Sequence, residues 1–82
     1  MDQKSVVIYS TPTCHFCKMA KDFFVEKRIQ YTTYDVATDA QKREEMIQLT
    51  GQLGVPVIVV GGDVVVGFDR QKLADKLGVA AS

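Results

Sequence analysis

Eighty-two residues, 46% of them hydrophobic, are enough for one packed domain over positions 1–82 with a modest core, and too few for two. Ten basic side chains balance ten acidic ones, so the basic excess that a nucleic-acid partner requires is missing. No apolar run approaches the roughly 20 residues that cross a bilayer, and "MDQKSVVIYS" has too short an apolar stretch for a signal peptide. The expectation is a cytoplasmic monomer that binds neither nucleic acid nor membrane.

"SVVIY" (5–9) is β-branched and aromatic and runs into the turn residues Ser10, Thr11, Pro12 and Thr13, which predicts a buried strand. From Phe16 the period changes. Phe16, Ala20, Phe23, Phe24 and Lys27 fall on one face of a helix reaching to about Arg28. "YTTYDV" (31–36) predicts a second strand. Thr38, three residues before Gln41, has the spacing of a capping box and would open a second helix. Met46, Leu49 and Leu53 would face inward there, with Gly51 or Gly54 as the stop. "VIVV" (57–60) and "DVVVG" (63–67) flank Gly61-Gly62, a pair that accepts the positive φ of a tight hairpin turn. Asp69 can cap a last helix through Leu77, with Gly78 past its end and Phe68 and Leu73 at the staple positions. The order β-α-β-α-β-β-α predicts an α/β fold: a four-stranded mixed sheet, parallel in its first part, with an antiparallel hairpin at the edge and three helices.

The only two cysteines, Cys14 and Cys17, stand three positions apart in "TPTCHFCK". Cys14 falls at the strand-to-helix junction and Cys17 in the first helical turn. A helix start carries unpaired N–H groups and the positive end of the dipole, which favours a thiolate. Lys18 adds a positive charge nearby, and Lys21 a second if its side chain turns that way. A structural disulfide over so short a loop would contribute only about 2 kcal/mol and would be reduced in the cytosol. A closed zinc site needs four ligands, and only His15 could join the thiols, from the wrong side of the helix. Buried free cysteine as a small apolar residue is a further reading, opposed by the position at a helix start. Redox chemistry fits best: Cys14 attacks a disulfide, and Cys17 resolves the mixed disulfide. His15 and Phe16, lying between the thiols, would tune the redox poise together with Lys18, with an exposed, idle His15 as the plainer alternative.

A strand ending in "YSTPTC", a C-x-x-C with an aromatic before the second cysteine, "GVPVIVV" after the second helix and "GF" before the last one resemble a glutaredoxin. More narrowly, the chain is similar to the small glutaredoxin-like redoxins that include the NrdH type. The resemblance spans positions 5–78 and implies a thioredoxin fold with Pro56 in cis beside the thiols. It also implies that the backbone of Val55 can pair with an extended substrate segment. From the residues alone, Pro56 is a proline that opens a strand.

Two departures bear on the electron source. Glutathione-using members carry a lysine three residues before the first cysteine, where this chain has Thr11. Their Gly-Gly-x-x-Asp run is here Val66-Gly67-Phe68-Asp69-Arg70. A Gly-Phe pair in this place is a feature of the NrdH type, which thioredoxin reductase reduces. Phe68 could then form an apolar lip for a partner protein, and Asp69 could hold the amino group of glutathione or serve only as a cap. Thioredoxins proper fit less well, since "SVVIY" holds no carboxylate to relay the proton of Cys17. The resemblance thus implies a disulfide oxidoreductase acting on disulfide-containing proteins, with thioredoxin reductase or glutathione as electron source and no tightly bound cofactor. The alternatives it leaves are a glutathione-dependent glutaredoxin and a dimer holding a [2Fe–2S] cluster through Cys14 and two glutathiones. Substrate contacts are expected from Thr11, Val55, Pro56, Gly67, Phe68 and Asp69.

Overall fold

The computed structural model of the chain describes residues 4–52 and 54–79. The elements are β1 (Val6–Ser10), α1 (His15–Glu26), β2 (Thr32–Asp35), α2 (Ala40–Thr50), β3 (Val57–Val60), β4 (Asp63–Val66) and α3 (Arg70–Leu77). The strands form one mixed sheet in the order β2-β1-β3-β4. β1 pairs in parallel with β2, α1 being the crossover, and antiparallel with β3, which pairs antiparallel with β4. This is the expected thioredoxin fold, with parallel pairing confined to β1 and β2.

Strand alternation divides the core in two. Val6, Ile8, Ile58, Val60 and Val65 share one face and pack with Ala20, Phe23 and Phe24 of α1 and Leu73 and Ala74 of α3. Tyr9 and Val57 lie on the other face with Val36 of the β2–α2 turn and Met46 of α2. The central strands β1 and β3 are therefore covered on both sides, which is why they read as nearly unbroken apolar runs. β4 is an edge strand: Val65 points into the core, whereas Val64 and Val66 are 37% and 50% exposed.

Local chemistry sets the ends of the helices. Lys27 and Arg28 donate back to the Phe23 and Val25 carbonyls, and Arg28 turns to φ +58, so α1 stops at Glu26 rather than near Arg28. The Thr38 capping box does not form. Asp39 caps α2 instead, its Oδ1 accepting from the Lys42 N–H at 3.1 Å, and Thr38 lies exposed in the preceding turn. A charged carboxylate is the stronger acceptor for a helix-start amide, and it sits one residue closer to that amide. Of the two candidate stops, Gly51 takes the left-handed conformation that ends α2, at φ +74. Asp69 caps α3 through the Lys72 N–H at 3.1 Å, and Phe68 packs on the cluster that holds Leu73. Gly61 and Gly62 both take positive φ at the hairpin tip.

Two expected core positions are on the surface. Leu49 is 45% exposed, because α2 crosses its face of the sheet alone and buries only Met46 completely. Phe16 is 56% exposed: the buried stripe of α1 is Cys17, Ala20, Phe23 and Phe24, and Phe16 stands beside its upper end. Leu53 lies outside the described residues.

Urea denaturation curves check this assignment. Leu73→Ala, at a fully buried site, is expected to cost about 2–5 kcal/mol, and Leu49→Ala less than about 0.5 kcal/mol. Asp39→Ala should cost about 1 kcal/mol through the lost cap, and Thr38→Ala much less.

Candidate active site

The turn Thr11–Thr13 delivers Cys14 to the cap position of α1, with φ −82 and ψ 117. The Cys14 N–H donates to the Thr11 carbonyl at 3.3 Å, and the Cys14 carbonyl accepts from the Lys18 N–H at 3.2 Å. Its Sγ accepts from the Cys17 N–H at 3.2 Å. Sulfur thus occupies the place usually taken by the oxygen of Ser, Thr, Asp or Asn, and a thiolate accepts such a bond more strongly than a thiol. Both cysteines are free thiols, Cys14 half-buried and Cys17 1% exposed.

The two thiols differ in kind. Burial pushes the Cys17 thiol up from the ordinary 9.0 to about 12, and hydrogen bonding to the Cys14 sulfur adds to the rise. A backbone hydrogen bond of Thr11 and the charge of Lys21 pull the other way. Cys17 therefore keeps its proton at neutral pH while Cys14 is open to solvent.

Thr11 joins the thiols to a cleft. With Val36, Ala37, Arg43, Gly54 and Val55 it lines a space of about 260 Å³. Val55 leads into Pro56 through a cis bond, and the Pro56 carbonyl accepts from the Gly67 N–H at 2.8 Å. Among the described residues the Val55 amide and carbonyl have no backbone partner. Thr11 is thus bonded to Cys14 and shares the cleft wall with Val55, whereas Pro56 and Gly67 are bonded to each other at the start of β3.

The remaining expected residues are engaged differently. The Lys18 ammonium binds Asp22 at 2.9 Å rather than turning to the thiols. His15 is exposed, its ring edge-on to Phe16 at 5.6 Å. Phe68 is half-buried, T-shaped against Phe23 at 6.2 Å, and the Asp69 carboxylate caps α3. Arg43 also lines the cleft, although no motif surrounds it in the sequence. It reaches the cleft because the β2–α2 turn brings Val36 beside it, the Nη1 donating to the Val36 carbonyl at 3.4 Å. Among the described residues, no group of three or more His, Cys, Asp and Glu side chains is placed to hold a metal.

The asymmetry of the thiols is measurable. Iodoacetamide should label Cys14 alone in the folded reduced protein at pH 8, where a thiol titrating at about 12 is ionised in about one molecule in 10,000. Mass spectrometry should find one label per native chain, two after denaturation and almost none in native Cys14→Ser. Because folding raises the affinity of Cys17 for its proton, the stabilisation is present below pH 9 and is lost as the pH rises through about 12. Reduced wild type should therefore lose stability above pH 9 more steeply than Cys17→Ala.

The glutaredoxin family model matches residues 6–65. A glutaredoxin-like 8.6 kDa protein in the rubredoxin operon of Clostridium pasteurianum is 46% identical over 72 residues, covering 88% of this chain and 95% of that protein. Glutaredoxin 3 of Escherichia coli K12 is 32% identical over 74 residues, 90% of this chain and 89% of that one. A crystal structure of the thioredoxin-like protein BC3987 superimposes with a TM-score of 0.83 at 30% identity, covering 89% of this chain and 100% of the other. Fold, paired thiols and matched sequence agree, and the chain belongs to the glutaredoxin family of thiol–disulfide oxidoreductases in the thioredoxin superfamily.

Proposed function

We propose that the protein is a dithiol electron carrier that reduces disulfides in other proteins. The observation that supports this most directly is the pairing of a half-exposed Cys14 with a buried Cys17 whose amide touches the Cys14 sulfur. In the first step the Cys14 thiolate attacks one sulfur of the substrate disulfide. A Cys14–substrate disulfide forms, and the other substrate sulfur leaves as a thiolate that takes a proton from solvent. Cys17 then gives up its proton and attacks the Cys14 Sγ. The substrate departs as a second thiol, and Cys14–Cys17 becomes the disulfide, two electrons having passed to the substrate. An extended substrate segment would lie along Val55, whose backbone has no partner among the described residues.

The carrier must then be reduced again. Thr11 in place of lysine and the Gly67-Phe68 pair favour a thioredoxin reductase as the source. A second reading, re-reduction by glutathione, is favoured by Arg43 in the cleft beside Thr11 and Val55, where a guanidinium could pair with a carboxylate of the tripeptide. Asp69 is exposed and could meet its amino group.

Cys14→Ser should abolish turnover with a protein disulfide, and Cys17→Ser should stop at a mixed disulfide visible by mass spectrometry. Reduction of the oxidised protein, followed with glutathione or with NADPH and thioredoxin reductase, decides the source. Rapid reduction by the reductase alone supports the first reading. Rapid reduction by glutathione, with the KM for glutathione raised about tenfold in Arg43→Gln, supports the second. An oxidised protein inert to both would overturn the carrier role.

A further inference from the structure

Lysine is the common cation of this chain, and most of its lysines near the site are already paired. Lys18 binds Asp22 at 2.9 Å, and Lys42 binds Glu45 at 3.1 Å. Lys21 differs. It is half-buried, and among the described residues its side chain forms no hydrogen bond or ion pair. Cys14, Cys17 and Lys21 follow one another along α1 at i, i+3 and i+7, a single stripe. Residues four apart on a helix are neighbours, so the Lys21 side chain starts one turn below the resolving thiol.

We propose that Lys21 is a positioning residue for the resolving step, its ammonium stabilising the negative charge that develops on Cys17 as that buried thiol attacks the Cys14 mixed disulfide. The inference rests on Cys17 being the resolver. The problem that Lys21 addresses is plain: burial opposes ionisation of Cys17, and no carboxylate is present in β1 to relay its proton. A nearby cation lowers the cost of the thiolate without taking part in the exchange. The proton of Cys17 passes to solvent, the departing thiolate takes one up, and Lys21 ends as it began. Its charge acts on Cys17 in the direction opposite to burial, as the smallest of the influences on that thiol in the resting protein.

Other charges near this place are committed elsewhere. On α1 the Lys18 and Asp22 side chains bind each other. On α3 the Asp69 carboxylate caps the helix, and Arg70 binds Glu26 at 2.6 Å. Across the cleft Arg43 bonds to the Val36 carbonyl, and the Tyr9 hydroxyl of β1 donates to Glu45 on the other face of the sheet.

The two steps separate in a stopped-flow reaction of the reduced protein with 5,5′-dithiobis(2-nitrobenzoate). Attack by Cys14 releases one thionitrobenzoate, and resolution by Cys17 releases the second. A change of one unit in thiol pKa alters the thiolate population tenfold, and the opposing change in nucleophilicity returns about a factor of three. Lys21→Gln should therefore slow the second release by about three- to tenfold near pH 7 and leave the first within about twofold. The deficit should shrink as the pH is raised, and Lys21→Arg should restore the second phase. Equal second-phase rates in wild type and Lys21→Gln would overturn the proposal. So would equal losses in Lys21→Gln and Lys21→Arg, which would mark a packing role. Cys17→Ser should release one thionitrobenzoate only; two from that variant would overturn the resolver assignment itself, independently of Lys21.

Discussion

The hydrogen bond from the Cys17 amide to the Cys14 sulfur, 3.2 Å long, is the contact on which the site depends. It satisfies one of the amide donors that every helix start leaves unpaired, so the atom that caps the helix is the more exposed sulfur of the pair, the one proposed to react. The cap fixes where the sulfur points, and the helix dipole fixes which charge it prefers to carry. It also fixes the distance between the two cysteines, since the bond joins residue 14 to the first turn that holds residue 17. Structure and reactivity are here one interaction. Replacing Cys14 by another capping residue could keep the helix and would still remove the chemistry.

The sheet supplies the frame around that contact. Because β1 ends where α1 begins, the turn that carries Cys14 is held at the edge of a core packed on both faces. β3 begins beside it, and the hydrogen bond between Gly67 and Pro56 draws the start of α3 to the same end. Thr11, Val55 and Gly67 are distant in sequence, yet the strand order β2-β1-β3-β4 makes them neighbours of one short turn. Arg43 enters by the same logic, carried in by the β2–α2 connection.

Much of this was legible in the residues. Period and punctuation located all seven elements, and Asp69, Gly78 and the Gly61-Gly62 pair act as their chemistry predicts. The cysteine spacing pointed to the helix start. What was not legible depends on packing that only the assembled sheet defines. Phe16 and Leu49 have the right spacing to be buried, but one stands past the covered end of α1 and the other on a helix that meets its face alone. Thr38 lost the cap to Asp39 because two adjacent polar residues competed, and the better acceptor with the shorter reach prevailed. Arg43 had no signal of its own, since a guanidinium on a helix surface is ordinary until a turn places a cleft beneath it. Lys18 and Lys21 look alike in sequence, and the structure tells them apart: Lys18 is exposed and bound to Asp22, whereas Lys21 is half-buried.

Cys17 is a core residue as well as a thiol, one of four buried positions along α1. Large electrophiles in solution cannot reach it, so an adduct held on Cys14 is the partner within its range. The same placement bears on oxidative damage. A peroxide meets Cys14 first and makes a sulfenic acid there, with a second thiol already lying against it. Condensation releases water and yields a disulfide that thiols can reduce, ahead of the further oxidation to sulfinic acid that a lone exposed cysteine undergoes. In the proposed roles, a buried Cys17 therefore gives the more accessible Cys14 sulfur a reversible way out of its most vulnerable state.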